Sequence, residues 1–205
     1  MFESAFAFNQ DIGEWDASSV QLMGGMFQFA FAFNQDIGEW DVSSVEWMDY
    51  MFWDATAFNQ YIGRWDVSSV TTMDNMFLYA TVFNTPIDTW DVSSVKFMGN
   101  MFEEASAFNQ YIAKWDVSSV IDFDYMFAGS GVKSDNEREI CDGPMWKSNA
   151  EWAPSYGGLN CSYSAVLPDA PTVAPTVPAT SGAGAGAGGL LAATSSLAIA
   201  AFLWL

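Results

Sequence analysis

The stretch Trp65-Asp66-Val67-Ser68-Ser69-Val70 decides how this chain folds, because the chain carries five versions of it at a fixed step of 25 residues. Trp-Asp stands at 15–16, 40–41, 65–66, 90–91 and 115–116, and Ser-Ser-Val follows each pair after one residue. Met-Phe keeps the same step from 1–2 to 126–127, and Phe-Asn keeps it from 8–9 to 108–109. Self-similarity at a period of roughly 20–50 residues marks a stacked array in which each unit covers the apolar side of the next. The 51% apolar share, with 10 Trp and 17 Phe, supplies the buried area that such a stack needs.

Within a unit the pattern changes. Ile62, Trp65 and Val67 suit a short strand with Trp65 and Val67 inward and Asp66 outward. Ser68 or Ser69 then offers a helix N-cap. The spacing of Val70, Met73, Met76, Phe77 and Ala80 predicts a short helix, with acids such as Glu46, Asp49, Asp74 and Asp122 near its positive end. Asn84 suits a left-handed return turn. The expected architecture is an α/β solenoid of strand, turn and short helix over residues 1–130. Met1-Phe2 aligns with Met26-Phe27, so the chain starts inside a unit. That start predicts further repeats or a leader upstream.

Charge and composition narrow the function. With 25 acidic residues, 6 basic ones and a net charge of −19, a nucleic-acid backbone would be repelled. Histidine is absent, and no phosphate-cradling glycine loop appears. Regular repetition also disfavours catalysis, since an active site needs one place unlike the others. A non-enzymatic role is expected, with no cofactor unless it is Ca²⁺.

The consensus M-F-x-x-A-x-x-F-N-x-x-I-x-x-W-D-V-S-S-V-x-x-M resembles the repeat of BspA-like bacterial surface proteins, over residues 1–130. That resemblance implies a leucine-rich-repeat-like stack, here with Trp, Met, Phe and Ile at the leucine positions. It also implies a place on the cell surface and a role in adhesion. Two departures are Ala17 for the strand valine in the first copy and Thr85-Pro86 in the fourth.

After Phe127 the pattern fades. Residues 131–165 read as a C-terminal cap that holds Cys141 and Cys161, for which one local disulfide in an oxidising compartment is the simplest account. Asn160-Cys161-Ser162 fits the N-glycosylation pattern. Residues 166–189 read as a Pro/Thr and then Gly/Ala linker. Residues 190–205 form an uncharged, hydrophobic C-terminal tail. Small residues around Ser181, a neutral spacer and an apolar end resemble a GPI-attachment signal with Ser181 at the lipid site; a single C-terminal transmembrane segment is the alternative. Either places the protein at the outer face of a membrane.

Two columns are candidate sites. Asp16, Asp41, Asp66, Asp91 and Asp116 repeat on neighbouring strands expected about 4.8 Å apart. Either each carboxylate is satisfied locally by the Ser that follows, or the column binds Ca²⁺. The outward columns vary, and Trp47, Tyr50 and Trp53, with Tyr79 and Phe97 near, form a candidate binding face for an extracellular protein or glycan. The alternatives to an adhesin are an acidic wall or coat component without a specific ligand and a Ca²⁺-dependent adhesin. The chain is expected to be a monomer, clustered on its surface so that weak contacts add.

Overall fold

Each inward-facing residue of the repeat opens or closes a four-residue turn. In the computed structural model, which describes residues 1–151, 157–159 and 161, the Trp65 N–H donates to the Ile62 carbonyl at 3.1 Å and Val70 to Val67 at 2.9 Å. Met76 donates to Met73 at 3.2 Å, Ala80 to Phe77 at 3.0 Å and Phe83 to Ala80 at 3.1 Å. All of these residues are buried. The apolar period is therefore close to three, and the chain bends at every step.

The amides left over by these turns bond to the next unit. Met73 donates to the Phe97 carbonyl at 2.9 Å, Asn75 to Gly99 at 2.8 Å, Phe77 to Met101 at 2.9 Å and Tyr79 to Glu103 at 2.9 Å. In the opposite sense Lys96 donates to Thr71 at 2.8 Å. The same pattern recurs one unit earlier and one later. Parallel bridges run from Leu22 to Trp47, Thr72, Phe97 and Asp122 in succession. Cut at that column, the units are 22–46, 47–71, 72–96 and 97–121, each bonded to its neighbours.

Three expectations for the unit are corrected here. The short helix after Val70 is not formed: no helix precedes Ser134 among the described residues. A helix would return each amide to its own segment, whereas here alternate amides reach the adjacent unit. The Trp-Asp-Val segment forms no bridge among the described residues; the parallel bridges fall on the 22/47/72/97/122 column, where the spacing predicts the helix. Asn84 is not left-handed. Positive φ occurs instead in two other columns, represented by Tyr50 (59°) and Asp54 (56°), and by Asn75 (59°) and Tyr79 (57°).

Side chains repeat with the backbone. Trp40, Trp65, Trp90 and Trp115 are buried, and each indole Nε1–H donates to the carbonyl of Ile12, Ile37, Ile62 or Ile87 at 3.0–3.2 Å. The Oδ1 atoms of Asn9, Asn34, Asn59 and Asn84 accept the amides of Asn34, Asn59, Asn84 and Asn109 at 2.8–2.9 Å. Two files of phenylalanine fill the interior: Phe52 stacks on Phe58 at 4.0 Å within a unit and on Phe77 at 5.5 Å between units.

The last unit is closed by two helices, α1 (Ser134–Asp142) and α2 (Pro144–Ser148). The closing segment reproduces the bonds of a further repeat. The Lys133 amide donates to Asn109 Oδ1 at 2.8 Å, and Asn136 Nδ2 donates to the Asn109 carbonyl at 2.8 Å, as Gln35, Gln60 and Gln110 do within the array. Ile140 of α1 is buried at the register where the next Trp would stand. Trp146 of α2 lies 5.7 Å from Phe123 and 6.1 Å from Phe127, ring to ring. Asn149 Nδ2 donates to the carbonyls of Val117 and Val120, and the Gly157 carbonyl accepts the Phe127 amide. A disulfide joins Cys141 to Cys161 and holds the returning chain against α1. Asn160, the linker 166–189, Ser181 and the tail 190–205 lie outside the described residues. No helix among the described residues is long and apolar enough to cross a membrane.

Candidate functional site: a groove between two exposed rings

The bridge column carries large rings outward. Backbone bonds from Met48 to Thr72 at 3.1 Å and from Met73 to Phe97 at 2.9 Å fix Trp47, Thr72 and Phe97 side by side, and the buried Met48, Met73 and Met98 anchor the same segments from beneath. Trp47 is 52% exposed and Phe97 is 38% exposed, while the shorter Thr72 between them is buried. Two inter-segment steps place Trp47 and Phe97 about 10 Å apart. The result is an open groove of ≈ 410 Å³, with the two rings, Thr72, Lys96 and the carboxylates of Asp49 and Asp74 in its lining.

The two carboxylates are held by the stack. Asp49 Oδ1 accepts the Asp74 amide at 3.0 Å and the Thr72 hydroxyl. Asp74 Oδ1 accepts the Gly99 amide at 2.7 Å. Gly99 lies between two acids: a Cβ there would make ordinary contacts, 3.4 Å from Asp74 Oδ1 and 3.5 Å from both oxygens of Asp122. Burial, and then the charges of Asp49 and Asp122, push Asp74 up to about 6, against the pull of the Gly99 N–H. These acids had been assigned to the start of a helix. They are instead bonds between units, and their placement beside the rings could not be read from a helical pattern.

The five proposed contact aromatics fall into separate places. Trp47 and Phe97 share the groove. Tyr50 and the half-buried Trp53 form a second group, ring centres 5.5 Å apart, which Phe29 extends at 4.7 Å from Trp53. Tyr79 is 44% exposed and touches the rings of neither group among the described residues. The signal for the groove was present in the sequence as Trp47 and Phe97 at equal positions two units apart. Thr72, Asp49, Asp74 and Lys96 were missed as members of it.

The aspartate column has a local arrangement. Asp16, Asp41, Asp66 and Asp91 each accept the amide and hydroxyl of the Ser two residues on, and Asp116 accepts the Ser118 amide. These serine bonds hold Asp16, Asp41 and Asp91 below the usual carboxylate range, although the neighbouring Asp16 charge works against this at Asp41. Among the described residues no group of three or more His, Cys, Asp or Glu is arranged to hold a metal ion.

No curated protein and no solved structure matches the chain. One family model does, over residues 1–70 and again over 48–138, together about two thirds of the sequence and the whole of the repeat array. The chain accordingly belongs to the family described as Mycoplasma protein of unknown function, DUF285.

Proposed function

We propose that this chain is a BspA-like surface repeat protein, an open-ended solenoid of the leucine-rich-repeat type in its broad plan, which mediates contact with an extracellular protein or glycan. The observation that carries this reading is the groove flanked by Trp47 and Phe97, two exposed rings at one position of the repeat that face each other across the buried Thr72. An exposed ring gains little for the fold, and aromatic clusters on a surface are favoured contact points. The role in this reading is binding and not catalysis: the sequence contains no histidine and the inward landmarks repeat from unit to unit. In this reading the segment 190–205 tethers the protein at the outer face of a membrane, by a GPI anchor at Ser181 or as a single span. Many tethered copies then turn a weak contact into a firm one.

The test is capture by beads that display the full chain, against extracellular matrix proteins and glycans. Capture that is lost in the Trp47→Ser, Phe97→Ser double variant, with an unchanged melting temperature, is the expected result. Equal capture by the variant would remove the groove from the role. A chain that captures nothing would favour the acidic coat, for which the exposed, evenly spaced Asp column is the supporting observation.

A further inference from the structure

The groove combines two aromatic walls with two carboxylates on adjacent units, and that pairing limits what can occupy it. A purely apolar occupant would strip water from Asp49 and Asp74, whose bonds within the stack fall on Oδ1, at the cost of desolvating their charge. An anion would meet both carboxylates and a chain of net charge −19. A neutral sugar can stack on a ring and donate hydroxyls, but it leaves the charges of Asp74 and Asp122 facing each other around Gly99, with that of Asp49 acting on Asp74. A planar cation does both jobs. It stacks on an indole or phenyl face, and it gives paired N–H donors to carboxylates. Lys96 is the one positive charge in the lining, and it lies exposed at the rim on a long stem that can turn toward water.

We propose that the groove between Trp47 and Phe97 receives a single arginine side chain from a basic segment of a partner protein, its guanidinium stacked on one ring and paired with the carboxylates of Asp49 and Asp74. The width of two unit spacings, about 10 Å, admits one side chain between the walls and excludes a folded element. Charge complementarity singles out this occupant, since the surrounding surface is acidic in every unit and would draw a basic segment from a distance. The proposal deepens the contact role given above and rests on it for its setting. The groups facing Asp74 are Asp49 from the preceding unit, Asp122 across Gly99 and Lys96 at the rim. Since burial pushes Asp74 up to about 6, its charge is complete at pH 7.5 and largely lost at pH 5. Binding should follow that charge.

Titration calorimetry of the full chain with acetyl-Ala-Arg-Ala-amide tests this, with the citrulline peptide and a neutral trisaccharide as the other two arms. The expected result is arginine binding at least tenfold tighter than citrulline, weakened several-fold on going from pH 7.5 to 5. Phe97→Ala and Asp74→Asn should each weaken it about tenfold, while Asp66→Asn, on the exposed serine-bonded column, should leave it unchanged. Asp74→Asn keeps an acceptor for the Gly99 amide, so it preserves the fold where a larger change would not. Equal binding of arginine and citrulline, trisaccharide binding in place of arginine, or an equal effect of Asp66→Asn and Asp74→Asn would each overturn the proposal. The two readings fail separately. Bead capture of extracellular partners without arginine binding sinks the guanidinium site and leaves the contact role. Arginine binding without any capture does the reverse.

Discussion

Trp65 joins two requirements in one side chain. Its ring fills the interior and its Nε1–H satisfies the Ile37 carbonyl at 3.0 Å. Trp65→Phe keeps most of the apolar volume and removes one of the two donors to that carbonyl, which retains the Trp40 amide at 3.2 Å, so it should cost about 0.5–1.5 kcal/mol. Trp65→Ala removes both and should cost about 3–5 kcal/mol. Urea unfolding of the two variants separates the contributions; no loss in Trp65→Phe would mean that the hydrogen bond carries no weight. Asp74 works in the other direction. Burial raises its folded pKa to about 6 from an ordinary 3.8. The folded chain thus holds a proton between those values that the unfolded chain releases. For this group stability is greatest below pH 3.8, falls as pH rises toward 6, and stays reduced above it. Asp74→Asn should therefore raise the melting temperature at pH 8 by about 2–4 °C, after discounting for its half-exposed position, and change it little at pH 4. A larger gain at pH 4 than at pH 8 would contradict this.

The turn is the element that sets the path, and it is where sequence and structure part. A repeat of 25 residues with inward Trp, Phe and Met was legible without coordinates, as was the burial of Trp65 and Val67 and, as one of two readings, the local bond that Ser68 donates to Asp66. The helix was not, because Val70, Met73, Met76 and Ala80 fit a period of three nearly as well as one of 3.6 over so short a run. Only the bonds between units distinguish the two, and those depend on a neighbour. The groove was half legible for the same reason. Trp47 and Phe97 were visible as variable outward residues, but the place of Asp49 and Asp74 follows from inter-unit bonds. Left-handed residues were also hidden, since the array puts Tyr, Asn, Asp and Glu where glycine is the easy choice. Tyr125 sits at φ 55° and is 59% exposed, so its ring gains little while its backbone is strained. Tyr125→Asn should stabilise by about 1 kcal/mol, read as a higher urea midpoint. A loss would show that the ring packs more than its exposure suggests.

At the scale of the molecule the array behaves as a row of nearest neighbours, in which each unit is worth its own packing plus its bonds to two others. The closing segment matters most at the end of that row. It supplies Lys133 and Asn136 to the last Asn, Asn149 to two carbonyls and Trp146 to the terminal phenylalanines. Cys141–Cys161 ties it down. The double variant Cys141→Ser, Cys161→Ser should lower stability by about 2–4 kcal/mol. Hydrogen exchange should show the loss first at residues 117–128 and last at 47–71; uniform loss across the array would mean that the row unfolds as one block.

Within the array the backbone bonds between units link positions 24, 25 or 26 residues apart, whatever the outward side chains are. A gene for such a chain can gain or shed whole copies by unequal crossing-over and still encode a molecule with every amide matched. A slip of a single codon would instead throw the unit that carries it out of step with its neighbours. Copy number is thus the cheap variable for evolution here, and the groove, which needs three consecutive copies, can be multiplied, moved or erased by recombination alone.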